Sequence, residues 1–386
     1  MSDFQELLTR GVEEVIDRQH LESALVSGKK LRVKFGIDPT SPNIHIGRAG
    51  ALWKLRDFQD LGHQVVFIVG DFTGLIADTS DKESERPMMT EKQVSENIKT
   101  YFAQAAKIID QDKAEMRYNS EWLKKLGAEE ISKLADLFGM HEFEARENIS
   151  KRLKAGRRVS LRELLYPLFQ GFDSVAVKAN IELGGTDQKF NLLAGRVIQK
   201  AYGQEPQDII TRTLMEGTDG RKMSSSWGNV INITDEPRDM FGKTMSIGDE
   251  FIIKYFKLAT RVPLTEVGEL EKGLSDGTNP KDIKARLAFE LVKLYYGEKI
   301  ARKAQNEFEK VFSEGKNPDE IKIVENKESI IQTIVASGVV TSNSEAKRLI
   351  DQKAVKVNDR VADDWGYKLK KGDIVKIGPR KFLKIE

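Results

Sequence analysis

Leu31, Val33, Phe35 and Ile37 alternate with Arg32, Lys34 and Gly36, which is the two-residue period of a strand. The turn formers Asp38-Pro39-Thr40-Ser41-Pro42-Asn43 end it, and Leu52, Leu55, Phe58 and Leu61 then recur at helical spacing until Gly62. Val65 to Val69 follows as an unbroken apolar run, the mark of a strand buried on both faces. Strand, helix and strand within about forty residues form the repeating unit of a parallel sheet covered by helices, so an α/β fold is predicted. A further apolar segment, Ile181-Glu182-Leu183, runs into Gly184-Gly185. Residues from about 95 to 165 read as a helical insertion between these halves, and helical spacing returns from Asp235 to about Lys316. At the N-terminus Phe4, Leu7, Leu8, Val12, Val15 and Ile16 also follow helical spacing.

A chain of 386 residues predicts two or three domains with a substantial core. With no cysteine and with His20, His45, His63 and His141 scattered, no protein-bound structural metal and no disulfide framework are expected. No apolar run is long enough for a bilayer and the N-terminus lacks the pattern of a signal peptide, so no membrane partner is expected and a reducing cytoplasm suits the composition. Charge is unevenly placed. From Glu345 to the end there are 12 lysines and arginines against 7 acidic residues, whereas the preceding chain is slightly acidic. Ser342 and Glu345 make a capping box for a helix Ala346 to Asp351, with β-like pieces at Ala354 to Val357, Asp373 to Ile377 and Phe382 to Ile385. Lys347, Arg348, Lys353 and Lys356 cluster beside that helix, a pattern that suits the phosphates of RNA.

Three short strings carry the chemistry: His45-Ile46-Gly47-Arg48, Gly184-Gly185-Thr186-Asp187-Gln188 and Lys222-Met223-Ser224-Ser225-Ser226. Thr40 and His45 sit where a strand ends and a helix begins, a place where backbone N–H groups and the helix dipole favour an anion. Gly242-Lys243-Thr244 forms no phosphate loop, because Pro237 stands where the first glycine would be needed. Together the strings resemble the signatures of class I aminoacyl-tRNA synthetases, in the tyrosyl/tryptophanyl branch. Arg48 stands for the usual second histidine and Ser225 for the usual second lysine. The resemblance implies a Rossmann-like parallel-sheet catalytic domain with a helical insertion (1–230), an α-helical domain (231–325) and a small α+β S4 RNA-binding domain (326–386).

It also implies the site. Gly36, Asp38, Thr40, His45, Gly47, Gly185, Asp187, Lys222 and Ser225 would hold ATP with Mg2+, with Thr40 and His45 on the γ-phosphate, and Arg48 would either join them through a phosphate or ribose contact or point to solvent. Lys82 and Arg86, on a loop, would reach the pyrophosphate. Tyr166, Gln170 and Asp173 are spaced by four and three, so they share one helix face. That polar stripe is poor core material and good material for an amino-acid pocket. By resemblance, Asp78, Tyr166 and Gln170 take the ammonium of L-tyrosine, Gln188 its carboxylate and Asp173 its phenol, with Lys34 where most members place a second phenol partner. The basic segment Lys151, Arg152, Lys154, Arg157, Arg158 suggests a seat for the acceptor stem of tRNA(Tyr), with Lys151 and Arg157 as its main contacts. The family further implies a cytoplasmic homodimer. Two other readings remain at this point: a tryptophanyl enzyme, and a synthetase-derived RNA-binding protein without activation.

Overall fold

The computed structural model describes residues 3–80, 88–312, 321–340, 342–378 and 381–386. The main sheet has six strands: β1 (Val12–Ile16), β2 (Arg32–Ile37), β3 (Gln64–Val69), β4 (Ala114–Tyr118), β5 (Ile181–Gly185) and β6 (Asp208–Arg212). Their spatial order is β1-β6-β5-β2-β3-β4, parallel throughout except for β1, which runs antiparallel along β6. From β2 the chain moves outward to β3 and β4, then returns to the other side of β2 for β5 and β6. The order therefore reverses between β2 and β5, which opens a crevice beyond their carboxyl ends.

The pleat sorts side chains by face. Val33, Phe35, Val65, Phe67, Leu183 and Ile210 pack with Leu52, Leu55 and Phe58 of the helix Ile46–Asp60, where each fully buried side chain contributes about 1.5–3 kcal/mol. Lys34, Val66, Ile68 and Glu182 face the other way, beneath the helix Leu161–Val177. Helices Pro237–Met245, Ile252–Ala259, Leu264–Ser275, Pro280–Tyr296 and Glu298–Phe312 follow the sheet. Their Phe241, Tyr255, Leu287 and Leu291 join the same apolar core as the sheet. Gly242-Lys243-Thr244 lies inside the helix Pro237–Met245, where the buried Thr244 hydroxyl donates to the Met240 carbonyl.

Two sequence expectations gave way. Only Asp3–Leu7 of the N-terminal stretch is helical, and Val12–Ile16 is β1. Its β-branched residues gain a ladder on the otherwise open edge of β6, and that tertiary pairing outweighs local periodicity. Within the stretch expected to be helical, Ala114–Tyr118 forms β4 and closes the far edge of the sheet against β3.

The tail builds a second sheet of β7 (Lys322–Val324), β8 (Val355–Val357), β9 (Arg360–Val361), β10 (Ile374–Ile377) and β11 (Lys381–Ile385), ordered β7-β11-β10-β8-β9. It has its own core of Val324, Ile330, Ile334, Ile350, Val355, Val375 and Leu383. The Ser342 hydroxyl caps the helix Asn343–Asp351, accepting from the Glu345 N–H at 3.2 Å. Because β7 pairs with β11, this module reaches back before residue 326.

Candidate active site

A cavity of about 890 Å³ fills the crevice between β2 and β5. Lys34, Gly36, Asp38, Thr40, His45, Gly47, Arg48, Asp78, Tyr166, Gln170, Asp173, Gly185, Asp187, Gln188, Lys222 and Ser225 all line it. Lys82 and Arg86 lie outside the described residues.

One end of the cavity is built for anions. His45 caps the helix Ile46–Asp60, its Nδ1 accepting from the Arg48 N–H at 3.3 Å. Burial, then the charges of Arg48 and Lys222, push the imidazole pKa well below the usual histidine value, so it is neutral at pH 7. With Nδ1 used as an acceptor, the proton is on Nε2, which is left as a donor. A Cβ at Gly47 would come within 3.1 Å of the His45 ring, so the glycine lets the imidazole lie against the helix start. Arg48 folds back toward the preceding turn, with Nη2 3.1 Å from the Thr40 hydroxyl. Ser225 meets the same turn through Ser41, Oγ to Oγ 3.1 Å. Lys222 pairs with Asp187 at 2.8 Å. At Gly185 a Cβ would collide with the Asp187 carboxylate at 2.4 Å, so only glycine allows that placement.

The other end is a polar slot on the helix Leu161–Val177. Asp173 is buried, and its carboxylate accepts from Trp122 Nε1 at 2.7 Å and Asn119 Nδ2 at 3.3 Å. Burial pushes its pKa up to about 7, against the opposing pull of Lys34 and of these two donors. Tyr166 donates to Asp38 at 3.0 Å, and Thr73 donates to the other oxygen of Asp38 at 2.7 Å. Burial raises Asp38 to about 6 despite those bonds. Gln188 donates to Asp78 at 2.7 Å, while Asn191 bridges Gln188 and Gln170 by donating to both side-chain oxygens.

Lys34 departs from expectation. Its ammonium is almost wholly buried and its three donors go to Glu182 at 2.9 Å, the Gln170 carbonyl at 2.8 Å and the Ser174 hydroxyl at 2.8 Å. A buried ammonium must be paired, and Glu182 pairs it, which leaves no N–H for a phenol. Lys34 therefore holds the slot's helix to the sheet. Asn119, Trp122, Thr73, Glu182 and Asn191 were not singled out from sequence. Asn119 and Trp122 follow β4, whose alternation of Ala114, Met116 and Tyr118 with Glu115 and Arg117 was the available signal. Arg212 ends β6 at the cavity wall, 7% exposed, with its Nε unpartnered among the described residues. In the short segment Asp208–Arg212, with only Ile209 and Ile210 apolar, nothing marks it.

The family profile of tRNA synthetases class I (W and Y) matches residues 27–313. The chain belongs to that family. An S4 domain profile matches residues 331–375. A tyrosine–tRNA ligase of Dehalococcoides mccartyi is 45% identical over 99% of this chain and 98% of its own length. One from Thermotoga maritima is 44% identical over 98% and 96%. The fold is shared with a C-terminally truncated mitochondrial tyrosyl-tRNA synthetase of Aspergillus nidulans (TM-score 0.67, 19% identity, 81% of this chain and 94% of that one). It is shared too with the Archaeoglobus fulgidus tyrosyl-tRNA synthetase complexed with L-tyrosine (TM-score 0.62, 22% identity, 79% and 100%).

The basic segments of this class I synthetase lie away from the cavity lining. Lys151 and Arg157 are exposed at the end of the helix Glu147–Lys154, and Lys151 pairs with Glu147 at 2.7 Å. Arg152 does not belong with them: it is 1% exposed and forms a buried pair with Glu163 at 2.5 Å. On the S4 module Lys347, Arg348, Lys353 and Lys356 are all exposed. Lys347 Nζ sits 4.6 Å above the Trp365 ring, and Lys356 stands directly opposite Lys376 across β8 and β10. Like charges set opposite one another cost stability, a cost that binding to a polyanion would offset.

Proposed function

We propose that the chain is a tyrosine–tRNA ligase. It activates L-tyrosine with MgATP to tyrosyl-adenylate and then transfers the tyrosyl group to the 3′ end of tRNA(Tyr). The observation that carries this is one cavity holding, at opposite ends, a buried carboxylate at Asp173 and the convergent set His45, Arg48 and Lys222. A phenol suits the first and a triphosphate the second. In the first step the tyrosine carboxylate attacks the α-phosphorus and pyrophosphate departs, so little covalent work falls to the protein and positioning and electrostatics dominate. The His45 Nε2–H, the Thr40 hydroxyl, the Arg48 guanidinium and the helix N-terminus supply fixed donors for the phosphates. Mg2+ comes with the nucleotide, held mainly by phosphate oxygens as is usual for this ion. Gly36, Gly47 and Gly185 leave room for the nucleotide, and Asp38 and Asp187 border it.

Asp78, Tyr166 and Gln170 receive the ammonium, Gln188 the carboxylate, and Asp173 accepts from the phenol. Asn119 and Trp122 hold Asp173 in place, and Lys34 acts as a positioning residue. Lys82 and Arg86 reach the pyrophosphate, a role resting on their sequence context alone. Lys151 and Arg157 receive the acceptor stem, and Lys347, Arg348, Lys353 and Lys356 a further part of the tRNA. The enzyme works in the cytoplasm, where tRNA is charged. It works as a homodimer, a reading supported by Leu193 and Val197, which lie one turn apart and are 37% and 42% exposed.

Asp173 and the S4 tail favour tyrosine over tryptophan, and the retained pocket argues against a protein that only binds RNA. ATP–pyrophosphate exchange run with each amino acid in turn should depend strictly on tyrosine. Exchange driven by tryptophan would support the sister activity, and tRNA binding without any exchange would support the RNA-binding alternative.

A further inference from the structure

Among the cations that line the cavity, Lys222 and Arg48 are the two whose charges bear on His45, and they differ in kind. Lys222 stands on the loop that follows Asp219-Gly220 and is matched by the Asp187 carboxylate at 2.8 Å. Arg48 stands in the first turn of a fifteen-residue helix. Its guanidinium touches only neutral acceptors: the Thr40 hydroxyl at 3.1 Å, the Asp38 carbonyl at 3.4 Å and the Tyr101 hydroxyl at 3.4 Å. No carboxylate lies within ion-pairing distance of it among the described residues. Both charges bear on His45, and both hold it unprotonated. Position 225 of the loop supplies no cation, and its serine meets the turn at Ser41 Oγ, one residue from the Thr40 that Arg48 addresses. Position 225 and the Arg48 guanidinium thus converge on the same two-residue turn.

We propose that Arg48 is the second cation of the phosphate clamp, doing from the rigid helix what a lysine at position 225 would do from the loop. This rests on the reading of the chain as an ATP-dependent ligase. A guanidinium has five N–H donors in a fixed fork, and three long contacts to neutral oxygens leave it able to take phosphate oxygens. Thr40, Asp38 and Tyr101 hold its charge in place from the helix, whereas Lys222 depends on the placement of its loop. The departing pyrophosphate gains negative charge as the α-phosphorus bond breaks, so a fixed cation there stabilises the transition state more than bound ATP.

The test is tyrosine-dependent ATP–pyrophosphate exchange with Arg48→Gln, Arg48→Lys and the double variant Arg48→Gln/Ser225→Lys, beside the unaltered enzyme. Removing one such donor costs about 10²–10³ in kcat. Arg48→Gln should show that loss with the KM for tyrosine nearly unchanged, and Arg48→Lys should keep a larger share of the rate. The added lysine in the double variant should recover about tenfold or more of the loss, a non-additivity expected of groups that serve one site. The proposal is overturned if Arg48→Gln keeps its kcat, or if the folded double variant is no faster than Arg48→Gln. It is overturned too if exchange by the unaltered enzyme requires potassium ions, which would make an ion the second cation. Absence of tyrosine-dependent exchange in the unaltered enzyme would instead remove the ligase reading itself, so the two failures are distinct.

Discussion

At Asp173 the desolvation of a carboxyl group outweighs three influences that favour its charge: the indole of Trp122, the amide of Asn119 and the ammonium of Lys34. The folded-state pKa of about 7 lies above the ordinary carboxyl value of 3.8. Between those two pH values the native state holds a proton that the unfolded chain has released, so this group's contribution to stability falls as pH rises from about 4 to about 7. Asp173→Asn should therefore stabilise the ligand-free protein by roughly 1–3 kcal/mol at pH 8 and much less at pH 5, as read by urea unfolding. An equal shift at both pH values would show that the carboxyl is not strained by burial. The same carboxylate should set specificity, because a site built to bond a hydroxyl leaves buried polar groups unpaired when the hydroxyl is missing. That selectivity reaches about 10⁴–10⁵, and tyrosyl-tRNA synthetases are the standing example of the rule, so the magnitude is theirs. Asp173→Ala should narrow the ratio of kcat/KM for tyrosine over phenylalanine, and an unchanged ratio would remove Asp173 from the phenol site.

The helix Leu161–Val177 carries Tyr166, Gln170 and Asp173, and two buried ion pairs fix it. Arg152 grips Glu163 in its first turn, and the Lys34–Glu182 pair bonds the Gln170 carbonyl and Ser174 at its middle. Removing one member of a buried pair strands the other charge, at a cost of about 3–5 kcal/mol. Arg152→Ala should lose about that much stability and raise the KM for tyrosine. Lys151→Ala, which removes an exposed side chain paired with Glu147 one turn away, should cost about 0.5 kcal/mol or less. Comparable losses in the two variants, measured by urea unfolding, would contradict the assignment of Arg152 as a structural group. In sequence the five cations from Lys151 to Arg158 form one basic cluster. Burial separates Arg152 from the others, because its aliphatic stem and its partner Glu163 lie in the interior. The period-four-then-three spacing of Tyr166, Gln170 and Asp173 was legible, whereas the strand that leads into Asn119 and Trp122 was not. Its five residues are short and half-buried, and helices flank it on both sides.

Among the described residues, the tail's apolar core is separate from the core shared by the main sheet and the helices to Ala304. Arg238 bridges them, its guanidinium 5.2 Å from the Phe382 ring. A cation–π contact of this kind is worth about 0.5–2 kcal/mol, more as it is desolvated, which is small beside the apolar burial inside each core. Ending the chain after Phe312 should therefore leave pyrophosphate exchange within about twofold and raise the KM for tRNA(Tyr) by about tenfold or more. The tail's phosphate contacts lie far from the reacting carbonyl and persist through the reaction. Loss of exchange in a truncated protein that stays folded would make the tail part of the catalytic unit.

The α/β class, the nucleotide signatures and the polar stripe of the pocket follow from sequence alone, because each depends on local periodicity or on residues close together in the chain. Tertiary structure alone decided three things. Val12–Ile16 became a strand because β6 offers an edge. Lys34 became a positioning group because Glu182 lies beside it on the next strand of the sheet. Arg48 and position 225 came to share one turn although the chain separates them widely. In each case the deciding partner is distant in sequence, and no local pattern encodes a charge or an edge supplied from elsewhere in the fold.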